Sequence, residues 1–272
     1  MIIAGGDSFV YGSELDDSRM SKTGATQPSK STFTALLARE DYTCAAWPGY
    51  GNDSIARTVI NACEQHTNIG VIVSWTFPGR YEFRFSYDTQ QRTGPWYTIT
   101  PWTIVDDHTI IKQEFVDDHD TRVLEDHVET IRRARATGVA DFAQTYYKHV
   151  GSSEYWEVYS TLKEIVYLQN YLTVKQIPFM FTCADNSILY NHTVNTADAT
   201  ISAVYNQIDM TKWFWFPAGT QTNETCEPRG FYQWALENKY PVGTTHPLEP
   251  AHVDAAELMK DKFNELVKKH LQ

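Results

Sequence analysis

The chain opens Met1-Ile2-Ile3-Ala4-Gly5-Gly6-Asp7-Ser8-Phe9-Val10-Tyr11-Gly12. A short apolar run that ends in small residues reads as a buried strand entering a tight turn. Residues 33–39 follow as a helix, and residues 43–47 form a second strand stopped by Pro48-Gly49. From position 52 or 53 to about 65, Ile55, Val59 and Ala62 recur on one helical face, and residues 69–75 form another apolar strand. Strands alternating with helices in this way predict a parallel sheet with crossover helices.

Further along, residues 81–105 are rich in aromatic and β-branched side chains (Phe83, Phe85, Tyr87, Trp96, Tyr97, Ile99) around Gly94-Pro95, and predict a β-hairpin. Helices are expected at 124–135, 140–148 and 153–174, a strand at 176–183 and a last helix at about 250–270. The expectation is one α/β domain over residues 1–272, with a β-hairpin and helical region inserted at about 80–150.

At 272 residues, with 42% hydrophobic and 21% charged residues, the chain is globular in composition. Its formal charge of −11 repels phosphate backbones, and the one basic cluster, Arg132, Arg133 and Arg135, reads as a solvated helix face, so nucleic acid is set aside. The four cysteines, Cys44, Cys63, Cys183 and Cys226, make no zinc or disulfide pattern. No apolar stretch reaches the roughly 18 residues of a membrane span, and the first residues have no basic n-region, so an intracellular location is expected.

Ser8 sits where a parallel sheet presents ligand-binding turns, beyond the carboxyl end of a strand. A serine there offers a nucleophilic hydroxyl and its own backbone N–H as an oxyanion donor. The plainer alternative is that Asp7 and Ser8 cap the next helix. A serine needs a base, and among nine histidines His246 stands out, since Pro247 holds it extended in a loop ahead of the last helix. His252 is the rival, with capping or solvent exposure as its simpler account.

These residues together carry a resemblance. Gly6-Asp7-Ser8 followed by Gly12 resembles the first motif block of the SGNH hydrolases, the GDSL-type esterase and lipase superfamily, and His246-Pro247 is similar to their last. Cys44-Ala45-Ala46-Trp47-Pro48-Gly49 resembles the second block, which implies Gly49 as an oxyanion glycine. Val71-Ile72-Val73-Ser74-Trp75-Thr76 resembles the third. The resemblance implies a three-layer, flavodoxin-like domain around a central parallel sheet. It also implies ester hydrolysis without a metal or organic cofactor, in which Ser8 attacks and His246 shuttles the proton.

Two departures stand beside it. The third block of the family carries an asparagine that this chain lacks, and Asn52 or Thr76 is the nearest substitute. The family acid lies three residues before the histidine, where this chain has Gly243; a backbone carbonyl or another carboxylate is then expected to orient His246, with Asp185 and Glu249 the candidates and Asp185 favoured by its place at a strand end. Arg80 and Glu82 are candidates for binding a polar substrate group, or form an ordinary surface ion pair.

Other features have plainer readings. Gly49-Tyr50-Gly51-Asn52-Asp53-Ser54 lacks the third glycine and the downstream carboxylate of a dinucleotide site. Asp106-Asp107-His108 and Asp117-Asp118-His119-Asp120 fit no metal-site spacing and read as solvated loops. The aromatic groups Tyr81, Phe83, Phe85 and Trp96, and Trp213 to Phe216, fill cores or line a sugar- or acyl-binding site, and the second group is a self-association surface if exposed. The expected function is hydrolysis of an O-acyl ester, such as an acetyl ester, of a carbohydrate or small molecule. A non-catalytic binding or structural protein on this scaffold, and an acyltransferase, are the alternatives.

Overall fold

Four strands lie side by side, all parallel, in the order β2-β1-β3-β6. They are β1 (Ile2–Gly5), β2 (Tyr42–Cys44), β3 (Gly70–Trp75) and β6 (Phe179–Cys183). The structure is a computed structural model that describes residues 1–18, 27–84, 96–101, 138–187, 198–218 and 229–271. The expected helix at 124–135, the Arg132–Arg133–Arg135 cluster, the two Asp/His-rich segments, Phe85, Tyr87, Gly94-Pro95 and Cys226 lie outside the described residues.

The chain divides into two compact units, Met1–Pro78 with Val158–Gln272, and Gly79–Glu157. In the first, the register pairs Ile3 with Val71 and Ala4 with Cys44. Side chains alternate across a strand, so Ile3, Val71, Val73, Trp75, Phe179 and Phe181 fill one face, while Ile2, Ala4, Ile72 and Met180 fill the other.

The first face is covered by α3 (Asn52–Cys63), through Ile55 and Val59, and by α5 (Glu154–Val174), through Leu162, Ile165 and Leu168. The second is covered by α2 (Phe33–Ala38), α7 (Phe231–Glu237) and α8 (Glu249–Leu266). Burying each of these large apolar side chains contributes about 1.5–3 kcal/mol before chain entropy is counted. This arrangement is α/β with helices on both faces of a parallel sheet, and its strand order is compatible with a flavodoxin-like fold.

Several segments differ from expectation for identifiable reasons. β2 ends at Cys44, although Ala45 still donates to the Ala4 carbonyl at 2.8 Å, before Pro48 turns the chain away. α8 begins at Glu249 with Pro250 in its first turn, where a missing N–H costs nothing, and stops at Leu266. Trp213 and Phe216 are 3% and 1% exposed, so this run is core and not an exposed association surface. Trp213 forms a parallel bridge with Phe181 on the open side of β6, which places its aromatic neighbours against both layers. Helix α6 (Ala199–Tyr205) and α7 had no clear period, being only two turns each.

The second unit contains the expected hairpin, β4 (Tyr81–Arg84) antiparallel to β5 (Trp96–Ile99). Helix α4 (Val139–Tyr146) runs into a π turn at Tyr147–Gly151. There the Tyr147 hydroxyl lies 2.6 Å from the Gly79 carbonyl and 3.0 Å from that of Ile99, holding the hairpin to the helix. Tyr81, Ile99, Val139, Ala143 and Tyr147 form its core. Among the described residues, no helix is long and apolar enough to cross a membrane.

Candidate active site

The turn after β1 is built by Asp7. Its Oδ1 accepts the Phe9 N–H at 3.1 Å and so caps the one-turn helix α1 (Ser8–Tyr11). The capping reading of Asp7 and the placement of Ser8 as a presented hydroxyl are therefore compatible, because the cap is one residue ahead of Ser8. Its Oδ2 accepts the Thr76 hydroxyl at 2.5 Å, which joins this turn to the end of β3. In the observed strand order, the gap between the carboxyl ends of β1 and β3 is where successive crossovers diverge, the usual ligand crevice of open α/β sheets.

Ser8 and His246 meet there. The Ser8 Oγ lies 2.7 Å from His246 Nε2 across a separation of 238 residues. Phe9 packs beside the imidazole, ring centroids 4.8 Å apart, and Phe77 and Tyr232 pack in turn on Phe9. The His246 loop is closed by the Gly243 N–H donating to the His246 carbonyl at 2.9 Å and by the bridge between Val242 and Pro247.

The other imidazole nitrogen, Nδ1, lies 2.7 Å from Glu14 Oε1. Facing a carboxylate, Nδ1 carries the ring proton, and Nε2 is left as the acceptor for the serine hydroxyl. Thr245 completes the cluster. Its hydroxyl donates to Glu14 Oε1 at 2.9 Å and its backbone N–H to the same oxygen at 3.1 Å. Burial pushes the Glu14 carboxyl pKa up, but the bond from His246, its charge and the two donors of Thr245 outweigh this and hold it below the ordinary carboxylate value. Glu14 reaches the site because α1 ends after one turn at Gly12, whose φ of 78° reverses the chain.

Glu14 was not anticipated from the sequence. The only signal for it is an acidic residue just past Gly12, the glycine that ends the Ser8 turn. Asp185 does not take this position: it follows β6, and its Oδ1 accepts the Ser187 N–H at 2.8 Å. Glu249 is an exposed first residue of α8. His252 is 1% exposed, neither a solvated residue nor a base for Ser8. Its Nδ1 accepts the Phe33 N–H at 3.2 Å, its ring packs against those of Phe33 and Phe231, and it also bonds the Pro247 backbone. Burial, and then the nearby His246, push its pKa down to about 3, so it is a neutral strut behind the loop that carries His246.

The two expected side-chain substitutes for the missing asparagine are committed elsewhere. Asn52 Nδ2 donates to the Thr76 carbonyl at 3.1 Å and to Thr161 Oγ1 at 3.2 Å, while its Oδ1 accepts the Thr76 N–H at 2.9 Å. It pins the end of β3 to α3 and α5. The Thr76 hydroxyl is held by Asp7. Gly49 follows β2, the neighbour of β1, with φ 86°. Among the described residues, the Ser8 and Gly49 N–H groups donate to no protein acceptor. Arg80 lies in the second unit.

A hydroxyl, an imidazole and a carboxylate joined in series are able to take the proton from the hydroxyl as it attacks and return it to a departing alkoxide, the two transfers that acyl transfer requires. Among the described residues, no three His, Cys, Asp or Glu side chains gather as a metal site, and Cys44, Cys63 and Cys183 are free thiols. No protein-family model, curated protein or solved structure is significantly similar to this chain.

Proposed function

We propose that this protein is a serine esterase that hydrolyses an O-acyl ester of a carbohydrate or other small molecule through an acyl-enzyme on Ser8. The observation that carries the reading is the 2.7 Å contact between Ser8 Oγ and His246 Nε2. In the acylation step, Ser8 Oγ attacks the ester carbonyl carbon and its proton passes to Nε2. The tetrahedral intermediate collapses, the C–O bond to the alcohol breaks, and Nε2 returns that proton to the departing alcohol. Water then attacks the acyl-enzyme with Nε2 again as base, releasing the acid and regenerating Ser8.

The oxyanion of both intermediates is received by the N–H groups of Ser8 and Gly49, which the protein leaves without acceptors among the described residues. Each such donor is worth about 10²–10³ in kcat. Aromatic surface supports a ring-bearing substrate. Trp47, two residues before Gly49, is 36% exposed and set edge-on to Tyr11 at 5.3 Å. Half-buried Phe77 and Tyr232 lie on the other side of α1, against Phe9. Such faces pack against sugar rings and acyl groups.

The test is turnover of p-nitrophenyl acetate, with stoichiometric labelling by a fluorophosphonate, in wild type, Ser8→Ala and His246→Ala. Wild type is expected to turn over and to label once, and both variants to lose these properties. Equal turnover in all three proteins would overturn the reading.

A further inference from the structure

The glycine at 243 and the glutamate at 14 occupy one volume. A Cβ built on Gly243 falls 2.0 Å from Glu14 Oε2 and 3.2 Å from its Cδ, while its next neighbour, Leu248 Cδ2, is at an ordinary 3.4 Å. The Gly243 backbone lies outside the left-handed region, so its conformation is open to any residue. The Glu14 carboxylate is the group that excludes a Cβ there. That carboxylate is held by three donors, His246 Nδ1 at 2.7 Å, Thr245 Oγ1 at 2.9 Å and Thr245 N at 3.1 Å. All three belong to the loop that Gly243 begins.

We infer that Glu14 is the positioning residue that fixes the tautomer and direction of His246, and that position 243 is glycine because a carboxylate from the other end of the chain fills its side-chain space. The inference rests on the serine esterase reading for its kinetic consequence but not for its structural one. One carboxylate locus can be supplied from either of two backbone positions, 14 or 243, and the two sources are mutually exclusive. The identities of residues 14 and 243 are therefore coupled with a definite sign: an acid at 243 is harmful while Glu14 is present and beneficial once it is gone.

The experiment compares Glu14→Gln, Glu14→Ala, Gly243→Asp and the double variant Glu14→Ala/Gly243→Asp. The first readout is the ¹⁵N spectrum of the His246 ring in the full chain, which needs no turnover. Wild type is expected to show Nδ1 protonated, and Glu14→Gln, nearly isosteric, a mixture of tautomers. The second is kcat/KM on p-nitrophenyl acetate. Glu14→Gln is expected to lose about 10²–10⁴-fold, chiefly in kcat, by analogy with removing the orienting carboxylate of a serine protease. Gly243→Asp is expected to lower both activity and thermal midpoint. The double variant is expected to exceed Glu14→Ala by about tenfold or more, as one recovered orienting interaction allows.

An unaltered Nδ1-protonated tautomer in Glu14→Gln would overturn the positioning role. Equal damage by Gly243→Asp in both backgrounds would overturn the shared-volume claim. If wild type fails to turn over any ester while the tautomer change is seen, the esterase reading falls and the role of Glu14 stands.

Discussion

The Thr76 hydroxyl donates to Oδ2 of Asp7 at 2.5 Å, across the gap between the ends of β3 and β1. The bond ties the turn that carries Ser8 to the end of the neighbouring strand. Both residues are fully buried, so the bond lies where water cannot replace it.

Thr76→Val keeps the shape of the side chain and removes the donor to a buried carboxylate. A loss of about 1–3 kcal/mol is expected, read as a lower urea midpoint with an unchanged m-value. Asp7→Ala removes the cap on α1 as well and is expected to cost more than Thr76→Val. Equal stability of Thr76→Val and wild type would contradict the structural importance of this bond.

His252 makes stability sensitive to acid. Its folded pKa of about 3 lies well below the ordinary 6.5, so between these values the unfolded chain binds a proton that the native protein does not. Stability therefore falls as pH drops through this window, by up to about 1.4 kcal/mol per pH unit. The lowered Glu14 carboxyl adds its own loss only below its ordinary value of 4.5, and the Glu157 carboxyl, pushed up by burial, acts with the opposite sign above it, so the histidine is read as the difference between wild type and a variant lacking it. Urea unfolding of His252→Leu between about pH 7 and pH 5 should show a flatter pH dependence than wild type, whatever its absolute stability.

Asn52→Ala separates a structural amide from an oxyanion donor. It leaves the buried Thr76 N–H and carbonyl without their partner, and a cost of about 1–3 kcal/mol is expected. Below the unfolding transition, fluorophosphonate labelling of Ser8 should fall far less than the roughly 10²–10³ that loss of an oxyanion donor brings.

Asp185→Asn replaces a carboxylate that accepts only the Ser187 N–H among its described bonds. Stability within about 0.5 kcal/mol of wild type is expected, with kcat/KM on p-nitrophenyl acetate unchanged. A large loss of kcat would give Asp185 a place in the chemistry that its observed bond does not.

The parts legible beforehand were those written in local pattern. The unbroken apolar runs Ile2 to Ala4 and Val71 to Val73 mark strands buried on both faces, and the helical spacing of Ile55, Val59 and Ala62 marks one apolar helix face. Apolar faces have to be buried, and that requirement is what builds layers. Residues 81–105 read as a hairpin from their aromatic and β-branched content around Gly94-Pro95. Short α6 and α7 left no comparable mark, because two turns hold too few apolar positions to define a period.

The sequence by itself determined the parallel α/β layering and drew attention to two residues: a serine in the first turn and a histidine held extended before a proline. Only the tertiary structure decided that these two side chains meet. It also decided that Glu14 stands on the far nitrogen of His246 and not Asp185, that His252 is a buried strut, and that Asn52 ties β3 to the helices. Periodicity records how each segment faces the core, whereas a hydrogen-bond partner depends on where two loops, distant in the chain, are brought together by the burial of everything between them.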